Sequence, residues 1–371
     1  MRWMFWVSTA LVVYTFLGYP AWLFVCSRWK PLQVRRQTIF PSVSVVMAVH
    51  NEARVLGAKL RNLGELDYPA GMLEAVVVSD GSSDGTDDIL AGWRGDRRQA
   101  ILLPANGGKA AALNRAVEAA RGDVLVFTDA RQRLDSGALR ALVESFADPG
   151  VGCVSGELFL EQRDRDSAAN GLGVYWTIEK SIRQWESATG SAVGVTGAIY
   201  AARRECVPVL PAGTILDDVY IPLHAARLGK RVLFDGRARS YDQLASSRRE
   251  FWRKVRTLAG NYQLVQFAPW LLTRENPIRF RFVSHKLLRL VIPFALVGIL
   301  VASLALNSTL GRVALAGEAG LCLCSAIGAS RLRLGALSLL GQACSTFLVL
   351  NAAAAVAFLY FVTGRQVAWT R

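Results

Sequence analysis

Leu73-Glu-Ala-Val-Val-Val-Ser-Asp-Gly-Ser-Ser-Asp-Gly-Thr86 reads as a β-branched run that stops in a turn of Asp, Ser and Gly and then enters a helix. A short, continuous apolar run bounded by turn residues is the signature of a strand buried on both faces. The same pattern recurs on either side. Upstream, Ser42-Val-Ser-Val-Val-Met-Ala-Val49 ends at His50-Asn-Glu52 before a helical stretch. Downstream, Ile101–Leu103 leads into Asn106-Gly-Gly-Lys109 and a helix over Ala110–Ala120, and Asp123-Val-Leu-Val-Phe-Thr128 ends in Asp129-Ala-Arg131. Alternating strands and helices predict an α/β fold with a mostly parallel sheet covered on both faces. Ligands of such sheets bind at the carboxyl ends of the strands, where every one of these polar clusters falls.

The rest of the chain is too apolar for an ordinary soluble enzyme. Of its 371 residues 52% are hydrophobic and only 19% charged, with a mean hydropathy of +0.27. The formal charge of +14 suits nucleic acid or anionic lipid equally. Position separates the two. Arg28/Lys30/Arg35/Arg36, Arg248/Arg249/Arg253/Lys254/Arg256, Arg279/Arg281/Lys286/Arg289 and Arg331/Arg333 all flank apolar segments, as cytoplasmic-side charges of membrane proteins do. No nucleic-acid-binding signature accompanies them, so nucleic acid is set aside as a partner. The six cysteines show no metal-ligand spacing and read as small buried hydrophobes.

Four segments follow. Residues 1–30 hold an apolar, aromatic run long enough to cross a bilayer of about 30 Å, read as an uncleaved anchor. Residues 38–245 form the α/β domain. Residues 246–284 interleave basic residues with Phe251, Trp252, Tyr262, Phe267 and Trp270, the composition of an amphipathic helix lying in the membrane interface. Residues 285–371 supply further spans, at Leu287–Leu306, about Val313–Ala329 and Leu334–Val362, for about four in all. The positive charge places the middle domain in the cytoplasm and the protein in the plasma (inner) membrane. An even span count leaves both termini outside, whereas the charged stretch 364–371 suits the inside, and the side of the C-terminus stays open.

The clusters suggest chemistry. Asp80, closing a strand at a Gly-rich turn, suits the base or ribose of a nucleotide; Lys109, after two glycines and opening a helix, suits a phosphate. Asp129, at another strand end, suits a divalent cation.

Taken in order, VSVVMAVHNEA, VVVSDGSSDGTDD, NGGKAAALNRA and GDVLVFTDAR resemble the inverting family 2 glycosyltransferases of GT-A (Rossmann-like) fold. They are most similar to the membrane-embedded branch that includes cellulose, poly-N-acetylglucosamine and hyaluronan synthases. Tyr175–Ser187, Val195–Arg204 and Leu216-Asp-Asp218 agree with it, as does one leading span, an interface helix and trailing spans. The resemblance implies a nucleotide-sugar donor, expected to carry uracil, and Mg²⁺ or Mn²⁺ as the divalent cation. His50, Glu52 and Asp80 would line the nucleotide pocket and Lys109 would face the diphosphate. Asp129 would be the first carboxylate of the metal-binding D-x-D, and Asp218 the catalytic base. Two adjacent carboxylates, Asp217 and Asp218, push one another's pKa apart, which favours a base. The resemblance departs at Asp129-Ala-Arg131, where the second metal carboxylate is missing; Arg131 then contacts the diphosphate directly, or metal dependence weakens. It also departs at Arg253-Lys-Val-Arg256-Thr257, which keeps only the Arg of the processive synthases' Q-x-x-R-W and leaves Arg256 as a donor contact. The acceptor is then a polysaccharide, an oligosaccharide or a lipid-linked species, with polysaccharide export or assembly proteins as candidate partners. A polyprenyl-phosphate sugar transferase and a catalytically silent scaffold are the alternative readings.

Overall fold

The computed structural model describes residues 1–161, 169–243, 247–306, 308–330 and 336–365. Its strands are β1 (Val43–Val49), β2 (Leu73–Asp80), β3 (Arg98–Leu103), β4 (Val124–Phe127), β5 (Arg133–Leu134), β6 (Val151–Glu161), β7 (Tyr200–Arg203) and β8 (Arg231–Gln243). They form one sheet in the order β3-β2-β1-β4-β7-β6-β8-β5. β1 pairs in parallel with both β2 and β4, β2 with β3, and β6 with β8. β7 runs antiparallel between β4 and β6, and β5 antiparallel to β8. The sheet is therefore mixed and mostly parallel. Every residue of β1 and β4 is buried, which is why those runs are uniformly apolar: helices cover both faces of the centre. The chain moves from β3 at the edge back past β1 to β4, so a crevice opens at the carboxyl ends of β1 and β4.

Two boundaries shift by one residue and matter for the site. β2 runs on through Asp80, so that residue is the buried end of a strand rather than part of the turn. The helix after the Gly-Gly pair begins at Lys109 rather than Ala110, because Gly108 at φ 88° turns the backbone into it.

Four helices are long and apolar enough to cross a membrane: Arg2–Trp29, Arg279–Ala305, Thr309–Ala329 and Leu337–Val362. Large apolar side chains such as Trp3, Leu17, Val297, Leu304, Leu323 and Leu359 stand exposed on them, as a lipid-facing surface requires. The second span starts before residue 285. The Asn276 side chain accepts the Ile278 amide at 3.1 Å and its carbonyl accepts the Arg279 amide at 3.1 Å, so a helix nucleates there. The amphipathic segment is the helix Ser247–Phe267. Its apolar side rests on the last membrane helix, where Val255 and Ala259 meet Ala353 and Ala357. Small residues on both partners let the two axes approach closely. Tyr262 stacks on Phe361 with ring centroids 5.1 Å apart. Arg331, Arg333 and residues 366–371, on which part of the orientation argument rested, lie outside the described residues.

Candidate functional site

The crevice is built from loops that grip one another before any ligand is considered. Asn51 adopts φ 55°, a conformation Asn tolerates better than most side chains. That turn lets its amide donate to Ser82 Oγ at 3.1 Å while its Oδ1 accepts the Ser83 amide at 2.8 Å. Glu52 donates its amide to Thr86 Oγ1 at 2.9 Å, and His50 Nδ1 lies 2.8 Å from the Asp80 carbonyl. Both Asp80 oxygens are engaged: Oδ1 accepts the Gly107 amide at 2.8 Å and Oδ2 the Gly108 amide at 2.9 Å. Gly81 is required beneath this loop, since a Cβ there would fall 2.5 Å from the Asn106 amide nitrogen. Asp80 therefore anchors the loop that aims Lys109, a task its sequence position did not suggest.

Lys109 is the centre of the site. Its Nζ lies 3.1 Å from Asp129 Oδ1 and 3.1 Å from Asp217 Oδ1, joining the end of β4 to the start of the helix Asp217–Arg227. Burial works against the ammonium, but Asp129 and Asp217 outweigh it and hold its pKa above the usual lysine range. Burial likewise works against the Asp129 carboxylate, and Lys109, Arg131 and Lys59 keep it below the usual carboxylate range.

Asp217 and Asp218 divide sharply. Asp217 is buried, paired with Lys109 and in reach of the Tyr200 hydroxyl at 3.3 Å, which is itself fixed by stacking on Phe127 at 4.7 Å. Among the described residues the half-buried Asp218 side chain makes no hydrogen bond or ion pair. Burial first, and the neighbouring Asp217 charge second, push its carboxyl up to about 6. Arg256 reaches the same place from the helix Ser247–Phe267: burial lowers its pKa against the opposing fields of Asp217, Asp129 and Asp218. Glu52, raised mainly by burial, lies in the fields of Arg131 and Asp129. Lys109, Asp129, Arg131, Asp218, Arg256 and Glu52 thus converge, while His50 and Asp80 buttress the loops behind them.

Lys59 escaped the sequence reading because a lysine in the helix Ala53–Gly64 looks like any solvated one. It is buried, donating to Thr128 Oγ1 at 2.9 Å and to the Gln132 carbonyl at 2.7 Å, so it fastens both ends of the Asp129-Ala-Arg131 loop. Burial pushes its pKa down to about 7. Arg203 and Arg204 are spent on backbone carbonyls: Val151, Phe146 and Asp148 for the first, Gly122 and Val117 for the second.

No group of three acidic, histidine or cysteine side chains converges as a metal cage among the described residues. Asp129 offers carboxylate oxygens at the mouth of the crevice, and Arg131 stands where a second carboxylate would be. A donor set of this kind suits a Mg²⁺-like ion completed by substrate phosphates and water rather than an ion caged by protein alone.

The model of the family described as Glycosyl transferase family 2 matches residues 44–207. A beta-monoglucosyldiacylglycerol synthase of Trichormus variabilis is 31% identical over 193 residues, 50% of this chain and 40% of that protein. A poly-beta-1,6-N-acetyl-D-glucosamine synthase of Staphylococcus epidermidis is 24% identical over 63% of this chain and 58% of its own length. The chain thus spans about half the length of the curated relatives it matches. Among solved structures, a mannosyltransferase of Pyrobaculum calidifontis in complex with GDP-Man and Mn²⁺ superposes with a TM-score of 0.73 at 25% identity, covering 98% of this chain and 100% of that one.

Proposed function

We propose, on the premise that residues 44–207 form a family 2 glycosyl transferase domain, that this membrane chain transfers a sugar from a nucleotide-sugar donor to a glycan or lipid-linked acceptor with inversion at the anomeric carbon. The observation that carries the reading is the division of labour between Asp217 and Asp218. One carboxylate is paired with Lys109, and the other has no hydrogen bond or ion pair among the described residues, its carboxyl pushed up to about 6. Inversion needs one group to take a proton from the acceptor hydroxyl as that oxygen attacks opposite the leaving group. An unpaired carboxylate of raised pKa is suited to that task, and Asp218 takes it. Lys109, Arg131 and Arg256 supply positive charge where the donor diphosphate leaves, in a partly dry crevice where each is worth more than in water. A divalent cation held by Asp129 and the donor phosphates would offset the same developing charge.

The domain works on the cytoplasmic side of the inner membrane in this reading, where nucleotide sugars are available and where the basic flanks of the spans belong. The helix that carries Arg256 packs on the last apolar span, so an acceptor held in or near lipid reaches Asp218 without leaving the interface. Turnover is tested by nucleoside diphosphate release from the full chain in nanodiscs, across UDP- and GDP-sugars with Mg²⁺ or Mn²⁺. Release from one donor, stimulated by a lipid or glycan acceptor, is the expected result. A chain that binds no nucleoside diphosphate and releases none from any donor would remove the transferase reading.

Arg131 gives a second test. Arg131→Asp restores the Asp-x-Asp pattern and deletes a cation, so nucleoside diphosphate binding in EDTA is expected to weaken about tenfold or more. Binding with Mn²⁺ should recover most of that loss. Unchanged binding in EDTA would show that Arg131 does not face the diphosphate.

A further inference from the structure

The residue that carries this inference lies behind the crevice, at the junction of the domain with two membrane helices. Glu186, near the end of the helix Ala169–Ala188, is fully buried. Its Oε1 accepts the hydroxyl of Tyr19, on the first membrane helix, at 2.7 Å and lies 2.8 Å from Nδ1 of His285, on the second. The other ring nitrogen of His285 lies 3.0 Å from Glu179 Oε1, whose Oε2 accepts Arg289 at 2.7 Å. The remaining oxygen of Glu186, Oε2, accepts the amide of Val193 at 3.2 Å. One carboxylate thus joins the first and second membrane helices to the 189–197 loop.

The same loop is gripped a second time. Arg281, in the first turn of the second membrane helix, donates to the carbonyls of Glu186 at 2.6 Å, Ser191 at 2.8 Å and Thr189 at 2.7 Å. Gly190, at φ 146°, makes room for it, since a Cβ there would lie 3.3 Å from the guanidinium. Further along, the loop seats Asp218. The Val195 amide donates to the Asp218 carbonyl at 2.9 Å, and a Cβ on Gly197 would lie 3.3 Å from Asp218 Oδ2. From Tyr19 and His285 to Asp218 the path runs through Glu186, Val193 and Val195 by hydrogen bonds and covalent chain alone.

We infer that Glu186 is a positioning residue that latches the Asp218 loop to the two membrane helices, so that the aim of the proposed base is set by how those helices pack. The inference rests on the transferase reading only for Asp218's role; the latch itself does not. A buried carboxylate with three donors around it is rigid, because each hydrogen bond to a charged group strengthens in a low-dielectric site. Loosening it leaves the donor crevice, built from β1, β2 and β4, untouched. A displacement of about 1 Å at the reacting group is enough to cost about 10²-fold in rate.

The test uses the full chain in nanodiscs with Glu186→Gln and the milder Tyr19→Phe, which keeps the ring and removes one donor. The readouts are amide hydrogen exchange, UDP and GDP binding, and steady-state turnover of the donor that the wild type accepts. The expected result is faster exchange confined to residues 189–197, with β1 and β2 unchanged and nucleoside diphosphate affinity kept. The kcat should fall about 10²-fold for Glu186→Gln and about tenfold for Tyr19→Phe at unchanged donor KM. Unchanged exchange in both variants overturns the latch. So does a loss of nucleoside diphosphate binding in step with kcat, which would mark Glu186 as merely structural. If the wild type turns over no donor, the transferase reading falls, and the exchange measurement still decides the latch.

Discussion

Asp218→Asn is expected to lower turnover by about 10²–10⁴-fold while leaving nucleoside diphosphate affinity intact, because it removes a proton acceptor and little else. The wild-type pH profile should agree. With the Asp218 carboxyl pushed up to about 6, first by burial and then by Asp217, kcat/KM should fall as pH drops through about 6 and level off above it. Asp217→Asn removes the repelling neighbour and should move that limb to lower pH, with burial left in place. Stability runs the other way. A carboxyl whose pKa is raised on folding binds its proton more tightly in the folded state, so it costs stability as pH rises from 3.8 through about 6. Asp218→Asn should therefore be the more stable protein above pH 6, as expected where function holds a group in an unfavourable setting. Thermal unfolding across that range checks the sign. An Asp218→Asn protein that still turns over, or a wild-type profile with no acid limb, would assign the base elsewhere.

Lys109→Met should be damaging in a different way. It leaves Asp129 and Asp217 without their shared cation and beside Asp218, in a crevice where Arg131, Arg256, Lys59, Lys286 and Arg183 oppose the three carboxylates without pairing with Asp217 as Lys109 does. Removing one member of a buried ion pair typically costs about 3–5 kcal/mol, because the surviving charge stays buried; here that charge is Asp217, since Asp129 is 38% exposed and solvent screens it. Unfolding of the variant should show a loss of that order at neutral pH, shrinking at acid pH as the orphaned carboxylates take up protons. Nucleoside diphosphate binding should fall with it. Lys109→Arg keeps the charge but not the compact ammonium that fits between two carboxylates, so it should recover part of the stability and less of the binding. A Lys109→Met protein as stable as the wild type at neutral pH would mean that the carboxylates relax towards solvent and the pair is not structural.

Much of the crevice was legible in advance for one reason. β1, β2 and β4 lie at the sheet centre and are covered on both faces, so their sequences are nearly unbroken apolar runs and their ends are marked by Asp, Gly and Asn. β8 was not legible. Arg231–Gln243 is largely polar because its outer part pairs only with the end of β6 and the two-residue β5. Lys59 could not be read either: a lysine in an amphipathic helix is normally solvated, and it is buried here only because the loop after β4 folds over it. His285 bridges Glu179 and Glu186, a pairing invisible to any local pattern because its partners lie far away in the chain.

The sequence by itself determined the class of fold, the polar loops at the strand ends, the four apolar spans and the acidic pair that ends in Asp218, since each is written in contiguous residues by periodicity and turn chemistry. Tertiary structure alone decided how those parts are used. It gave Asp217 to Lys109 and left Asp218 without an ion pair among the described residues, engaged both Asp80 oxygens in holding a loop, and tied the Asp218 loop to two of the apolar helices through Glu186. The reason is physical: burial and charge pairing depend on which distant segments meet, and the free energy of a carboxylate is set by those neighbours rather than by its place in the chain.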